Sequence, residues 1–339
     1  MAYNEESGIV DKFGGKEDME RHLIRAVGNP TDRFNEDALR MLRAIRFAGQ
    51  LDFHIEETTL GAIKEISQTL DHVSAERIRV ELTKLLCSQG PEKMLIAREV
   101  GLTQVFLPEF DQMCETKQNN PHHYLDVANH SIEAVKKVNE IYQRGDFPRS
   151  KDQIILVFAA LLHDVAKPLC QTTDEEGIDH FFNHDIKGAE LAGQIIRRLK
   201  FDNETWGIVT KMIQFHDYRY EGGKRALRRL MNRVGMKTMP YLFALQEADL
   251  LAQSEYMRSE KLQRLEQAKQ LYREIVAAGE AVTVKDLAVT GKDLIEAGVK
   301  QGPEIGQCLA TLLDRVLEEP ELNHRDTLMQ ILIGGQNVT

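Results

Sequence analysis

Apolar residues return every three or four positions through most of the chain, and this period limits the fold more than any other feature. "AERIRVELTKLL" at 75–86 and "KLQRLEQAKQLYREIV" at 261–276 are examples. Such spacing gathers the apolar side chains on one face of a helix. Alternating β-branched runs are scarce. The expected fold is therefore all-α, with one short strand in "GIVDKFGG" at 8–15, ending in a Gly-Gly turn. With 339 residues the chain is long enough for two or three domains.

The longest apolar run, "IILVFAALL" at 154–162, falls well short of a bilayer span, and no signal peptide is read ahead of it. No membrane partner is expected. The four cysteines, Cys87, Cys114, Cys170 and Cys308, form no CxxC pair, which leaves neither a zinc knuckle nor a disulfide framework. A reducing cytoplasm is the expected setting. The formal net charge of −10 argues weakly against a polyanionic partner. Local basic clusters, "RALRRLMNR" at 225–233 and "RRLK" at 197–200, leave contact with phosphates open, or are solvated helix faces.

The stretch "NEDALRMLRAIRFA" at 35–48 carries arginines at every third position, Arg40, Arg43 and Arg46, one such step after Asp37. On one helix, Ala38, Met41, Leu42, Ile45 and Ala48 form a core-facing stripe and the arginines fan across the other side. Asn35 is the expected N-cap. Leu39 and Phe47 share the arginine arc, so that arc is not simply a solvated face. Every basic residue in it is Arg, whose planar fork matches phosphate or a base edge.

Histidine concentrates in 122–216, which holds seven of the chain's eleven. His163 and Asp164 follow the apolar run directly, which anchors them in a core. A buried carboxylate is costly unless a cation satisfies it, and a metal does so.

These residues carry a resemblance. "EDALRMLRAIRFA", preceded by "GIVDKFGGKEDMERHLIRAVGNPTDRF" with Lys12 where a proline is usual, resembles the nucleotide-recognition helix of class II CCA-adding enzymes and poly(A) polymerases. The likeness runs through the histidine block to "TGKDLIEAG…GPEIGQCL". It implies that Asp37 and Arg40 pair with the Watson–Crick edge of CTP or ATP, that Arg43 and Arg46 contact phosphates or brace the pair, and that the tRNA 3′ end is a partner. The segments "HHYLDVANH", "LLHDVAKP", "FFNHDIKGAE", "FHD" and "QEADLLAQ" resemble the HD phosphohydrolase superfamily. That likeness implies His130, His163, Asp164 and Asp249 as metal ligands, with His163 and Asp164 central to catalysis. His184 and His216 match the extra ligands of two-metal members. The donor set suits Mg, Mn, Ni, Co or Fe. Lys167 and Arg197 are candidates to hold a substrate phosphate.

The family places two-metal nucleotidyl transfer in an N-terminal head bearing Gly-Ser and Asp-x-Asp. Neither occurs in the 339 residues. The expected organisation is 1–16 as a remnant of that head, 17–86 as neck, 87–120 as body connector, 121–260 as an inserted HD-type helical domain and 261–339 as tRNA-binding body and tail. A stand-alone HD phosphohydrolase, or a non-catalytic tRNA-binding partner of a separate head chain, are the rival readings.

Overall fold

The computed structural model describes residues 2–5 and 8–336, and these are mostly helical, with 67% helix and 4% strand. Contacts divide the chain into two units, 1–217 with 244–258, and 218–243 with 259–339.

The first unit begins with a hairpin of β1 (Ala2–Asn4) and β2 (Gly8–Val10), followed by α1 (Gly15–Glu20). The expected strand is thus present, and Gly14 takes a positive φ of 73° that glycine adopts without strain. Next come β3 (Leu23–Ile24), α2 (Pro30–Glu36), α3 (Leu39–Leu51), β4 (His54–Ile55) and α4 (Glu57–Ile66). The strands β3 and β4 pair in parallel.

The arginine stretch is not one helix from 36 onward. Asp37 is extended (φ −156°, ψ 103°) and separates α2 from α3. Asn29, rather than Asn35, caps α2 by accepting from the Thr31 and Asp32 amides. The Asp37 carboxylate accepts from the Leu39 amide at 3.2 Å, which satisfies an orphan donor of α3 and favours the break. Of the expected stripe, Met41, Leu42, Ile45 and Ala48 are fully buried, whereas Ala38 falls just ahead of α3 and is half-buried.

The helix α5 (Ala75–Leu86) packs on α3. Close approach there demands glycine. A Cβ on Gly49 would stand 2.6 Å from Leu85 Cδ1 and 2.7 Å from the Gly90 carbonyl oxygen. Short helices α6 (Met94–Glu99), α7 (Thr103–Phe106) and α8 (Pro108–Glu115) lead to α9 (Val127–Gln143) and α10 (Ser150–Leu162).

The segment Ser150–Cys170 is long and apolar enough to cross a membrane by length and composition, contrary to the reading from the apolar run alone. It is mostly buried, and α10 packs between α9 and α13 (Asn203–Phe215) as a core helix. Asn139 of α9 donates to the carbonyls of Leu86 (2.8 Å) and Ser88 (3.4 Å). Gln153 of α10 donates to the Asn139 amide oxygen at 2.9 Å. These amides satisfy carbonyls at the end of α5 that have no intrahelical partner. The unit continues with α11 (Lys167–Cys170), a hairpin of β5 (Gln171–Thr173) and β6 (Asp179–Phe181), and α12 (His184–Arg198), which packs on α13.

The second unit contains α14 (Gly223–Val234), the start of α15 (Met239–Ala252), most of α16 (Arg258–Ala277), α17 (Gly291–Glu296), α18 (Pro303–Glu318) and α19 (Arg325–Gln336). Residues 218–243, expected within 121–260, therefore group with the C-terminal segment. Arg228 explains why. It is buried, donates to the carbonyls of Leu317 (2.8 Å) and Glu318 (3.0 Å) at the end of α18, and pairs with Glu280 at 2.8 Å. A guanidinium at a helix C-terminus meets both the orphan carbonyls and the negative end of the dipole. Arg225 and Arg229 both pair with Glu318. Much of the basic cluster at 225–233 is thus committed within its own unit.

Candidate functional site

Two sites take shape in the first unit. One is a cleft of about 480 Å³ bounded by the β3 end, α2, α3 and α4, with Asp37, Arg40, Arg43 and Phe47 in its lining. That volume suits a small organic ligand. Asp37 is half-buried and clamped on both sides: Oδ1 accepts from the Leu39 amide, and Oδ2 pairs with Arg77 of α5 at 2.8 Å. The Arg77 guanidinium holds the Asp37 carboxyl below the usual carboxylate range. Arg40 donates to the Arg33 carbonyl at 2.9 Å and pairs with Glu36 at 2.6 Å. A guanidinium has five N–H groups, so bonding capacity remains toward the cleft. Arg43 is exposed and, among the described residues, meets no carboxylate.

Arg46 departs from the expectation. It does not line the cleft. It is buried, pairs with Glu81 of α5 at 2.5 Å, bonds Gln50, and lies over the Phe47 ring at 3.6 Å. Three residues make about 300° of helix turn, so successive arginines rotate round α3 until the last meets α5. Arg77 was not visible as a partner in the sequence, since it lies 40 residues from Asp37.

The second site gathers every expected metal ligand. His130 comes from α9, His163 and Asp164 from the end of α10, His184 from the start of α12, His216 from just beyond α13, and Asp249 from α15. His163, His184 and His216 each donate Nδ1–H to a backbone carbonyl three residues earlier, at 2.7–2.8 Å. This turns each Nε2 inward. The Nε2 atoms of His130 and His163 are 3.3 Å apart, and those of His184 and His216 are 3.2 Å apart.

Asp164 lies between the two pairs. Its Oδ2 is 3.2 Å from His163 and 3.7 Å from His130, and its Oδ1 is 3.6 Å from both His184 and His216. Asp249 Oδ1 is 2.9 Å from His130 and 3.6 Å from His163. Two groups of donors result, His130–His163–Asp164 and Asp164–His184–His216, each spanning less than 4.8 Å.

An orphaned buried carboxylate is the feature here that a cation could satisfy. Asp164 is almost completely buried, and among the described residues neither oxygen receives an aligned hydrogen bond. Lys167 Nζ, 2.7 Å from Oδ2, is an ion pair without that alignment, and it also donates to Gln118 at 2.7 Å. Burial disfavours a charged Asp164, yet His163 and Lys167 hold its carboxyl well below the ordinary range. Burial likewise opposes charge on His163, but the Asp164 and Asp249 carboxylates outweigh it and push it up to about 10. Facing Nε2 pairs around a shared carboxylate need a proton or a cation between them, and the donors present fit a divalent transition metal.

Sequence reading missed Gln118 and His123. The His123 ring stands edge-on to His130 at 4.7 Å, and its buried Nδ1 has no hydrogen-bond partner among the described residues. Arg197 lies over Trp206 at 4.3 Å, roughly 20 Å along α12 from His184, too far to hold a phosphate there.

Comparisons with known proteins identify the family. Residues 52–114 match the family described as "Probable RNA and SrmB-binding site of polymerase A", and residues 171–332 match tRNA nucleotidyltransferase domain 2. The chain is 30% identical over 322 residues to the A-adding tRNA nucleotidyltransferase of Deinococcus radiodurans, covering 93% of this chain and 71% of that protein. A 91-residue stretch is 55% identical to the CCA-adding enzyme of Limosilactobacillus reuteri, spanning 27% of this chain and only 23% of that enzyme. The structure of the Bacillus stearothermophilus CCA-adding enzyme in complex with CTP shares the fold, with TM-score 0.67 and 22% identity over 99% of this chain and 71% of that one.

Proposed function

The chain belongs to the tRNA nucleotidyltransferase family, and on that premise we propose that it serves synthesis and repair of the tRNA 3′ end by selecting CTP and ATP in the α2–α3 cleft. The observation that carries this reading is the doubly clamped Asp37 beside Arg40. An ionised carboxylate only accepts hydrogen bonds, so it favours the exocyclic amino group of cytosine or adenine. The carbonyl of uracil or guanine at that edge would face it lone pair to lone pair. Arg40 donates to the ring acceptors, and Arg43, uncommitted to any acid among the described residues, suits the phosphates.

No Asp-x-Asp occurs in the 339 residues, so the neck is assigned base reading rather than nucleotidyl transfer. Calorimetry with CTP, ATP and UTP tests the assignment: CTP and ATP should bind, and Asp37→Ala and Arg40→Ala should each weaken them. Unchanged binding in both variants would refute it. A parallel assay should find no CMP or AMP incorporation by this chain alone.

A second reading is favoured by the facing Nε2 pairs: the histidine cluster is an HD-type phosphohydrolase site acting on phosphoesters such as 2′,3′-cyclic phosphates. A divalent metal bound there supplies Lewis-acid polarisation of the phosphoryl group. The chain's residues hold the site in register: three backbone carbonyls fix the imidazoles and Lys167 offers an ammonium beside Asp164. In the net reaction, water forms a new P–O bond, one ester P–O bond breaks, and the leaving oxygen takes a proton. The test is metal analysis and hydrolysis of 2′,3′-cyclic AMP by the unmutated chain and by His163→Ala/Asp164→Ala. Wild-type metal content and turnover in that double variant would overturn the reading.

A further inference from the structure

The histidine cluster is nearly closed to solvent. His130, His163 and Asp164 are each 1% exposed and His216 is 5% exposed, and the side chains of His184 and Asp249 reach only 14%. A hydrated cation passes such a wall only if part of it moves. The helices that carry the ligands are anchored by apolar side chains, α10 along almost its whole length. The loop between α8 and α9, "KQNNPHHYLD" at 117–126, is not. Its apolar members are Pro121, Tyr124 and Leu125, and none of them is buried; the one buried residue in it is the polar Gln118.

This loop lies on the cluster. The His123 ring stands edge-on to His130 at 4.7 Å, and Gln118 Oε1 accepts from Lys167, whose ammonium is 2.7 Å from Asp164 Oδ2. The two ends of the loop meet. The Val127 amide donates to the Thr116 carbonyl at 3.1 Å, and the buried Thr116 donates its hydroxyl to the Gln112 carbonyl at 2.8 Å. A loop closed at its base in this way is a compact unit of its own. Because α9 begins at Val127, the loop can lift and leave His130 in place.

Polar bonds along two edges hold it down. On the hairpin side, the Asn119 amide donates to Asp179 Oδ2 at 2.8 Å, and the Asp179 amide donates to the Asn119 carbonyl at 3.0 Å. Asn119 Nδ2 also donates to the Gly177 carbonyl at 2.5 Å, and Gln171 Nε2 to the Lys117 carbonyl at 3.2 Å. On the other side, the Ser254 amide donates to the His122 carbonyl at 2.9 Å and the Ser254 hydroxyl to the Pro121 carbonyl at 2.6 Å. Water replaces such bonds when they break, so each adds little net stability, whereas opening a helix exposes its apolar face. Segments with few buried apolar contacts open first. Resting on the reading of the cluster as a cation site, we infer that residues 117–126 are a hinged cover, and that a cation enters and leaves the cluster when this cover lifts from its Asp179 and Ser254 latches.

The test uses cobalt(II) as the probe on the purified 339-residue chain. Stopped-flow visible absorption reads its entry, and excess EDTA reads its release. Asp179→Ala removes a charged acceptor from the hairpin latch and should speed entry and release alike, about ten- to 100-fold. Affinity should stay level, since no ligand is touched and the latch is the same with and without the cation. Asp179→Asn keeps an acceptor for the Asn119 amide and should restore most of the slow exchange. Ser254→Ala, on the opposite edge, should speed both steps to a lesser degree. Far-UV circular dichroism checks that the variants are folded. In hydrogen exchange of the metal-free chain, the amides of Asn119, Asn120 and His123 should open as a group ahead of α9 and α10, and sooner still in Asp179→Ala. Unchanged cobalt kinetics in both Asp179→Ala and Ser254→Ala would overturn the cover. So would faster release with unchanged entry, which would make Asp179 a support of the bound site. If the unmutated chain takes up no cobalt, the cation reading falls, and hydrogen exchange decides the cover alone: loop amides that open only together with α9 would overturn it.

Discussion

Replacing Arg46 with methionine separates two roles for that residue, phosphate contact and core cation. The structure makes it a core cation: its side chain is 7% exposed and that of Glu81 is 5% exposed, with 2.5 Å between Nε and Oε2. Removing the guanidinium leaves Glu81 buried, with Lys84 as the remaining cation at 4.0 Å. Breaking a buried pair from one side costs about 3–5 kcal/mol, and the nearby lysine places Arg46→Met near the lower end. About 3 kcal/mol is roughly a 150-fold loss in the folding constant, a large share of a typical domain's stability. The control is Arg46→Met with Glu81→Leu, because an apolar pair of similar volume often replaces a buried ion pair at no net cost.

The assay is urea unfolding followed by fluorescence of Trp206, which is the chain's only tryptophan and lies in the same unit as Arg46. CTP titration runs beside it. The single variant should lose about 3 kcal/mol, and the double variant should recover most of it and bind CTP as the unmutated chain does. A single variant of near wild-type stability, with CTP affinity cut tenfold in both variants, would refute the argument and return Arg46 to the cleft.

Three further outcomes are expected. Arg77→Ala frees one side of Asp37, so CTP affinity should fall about two- to fivefold, as for a partly exposed ion pair, while UTP binding stays level; Arg77→Lys should keep most of the preference, and equal losses for both nucleotides would contradict it. Asp164→Ala should strip metal from both donor groups, whereas His184→Ala should spare the His130–His163 group; elemental analysis reads the difference, and wild-type metal content in Asp164→Ala would count against a shared carboxylate. Burial pushes the half-buried Cys87 and Cys114 thiols up to about 12, so thiolate is scarce at pH 8; iodoacetamide should label both far more slowly in the native chain than after unfolding, and equal rates would contradict that.

The local parts of this architecture could be read from the sequence, and the parts that depend on distant partners could not. The apolar stripe of α3 follows from spacing, and Met41, Leu42, Ile45 and Ala48 are fully buried, while the break at Asp37 leaves Ala38 ahead of the helix. The histidines and acids meet because apolar helices deliver them: α10 is almost wholly core, so whatever ends it lies deep. By contrast, nothing near Arg46 announces Glu81, 35 residues away. The break at Asp37 was hidden because Glu36, Ala38 and Leu39 are all compatible with a continuous helix, and a single side-chain-to-backbone bond tips the balance. Residues 218–243 read as a continuation of the histidine block until the carbonyls at the end of α18 are found to need Arg228.

The amides of Asn139 and Gln153 have a consequence for cooperativity. Asn139 joins α9, which carries His130, to the end of α5, which carries Arg77 and Glu81, and Gln153 adds α10, which leads into His163. Helices linked through one another's terminal carbonyls open together rather than fray singly. Backbone amides of α5, α9 and α10 should therefore exchange with deuterium as one foldon. A ligand that protects the cleft against opening will then slow exchange around the histidines as well, without touching them.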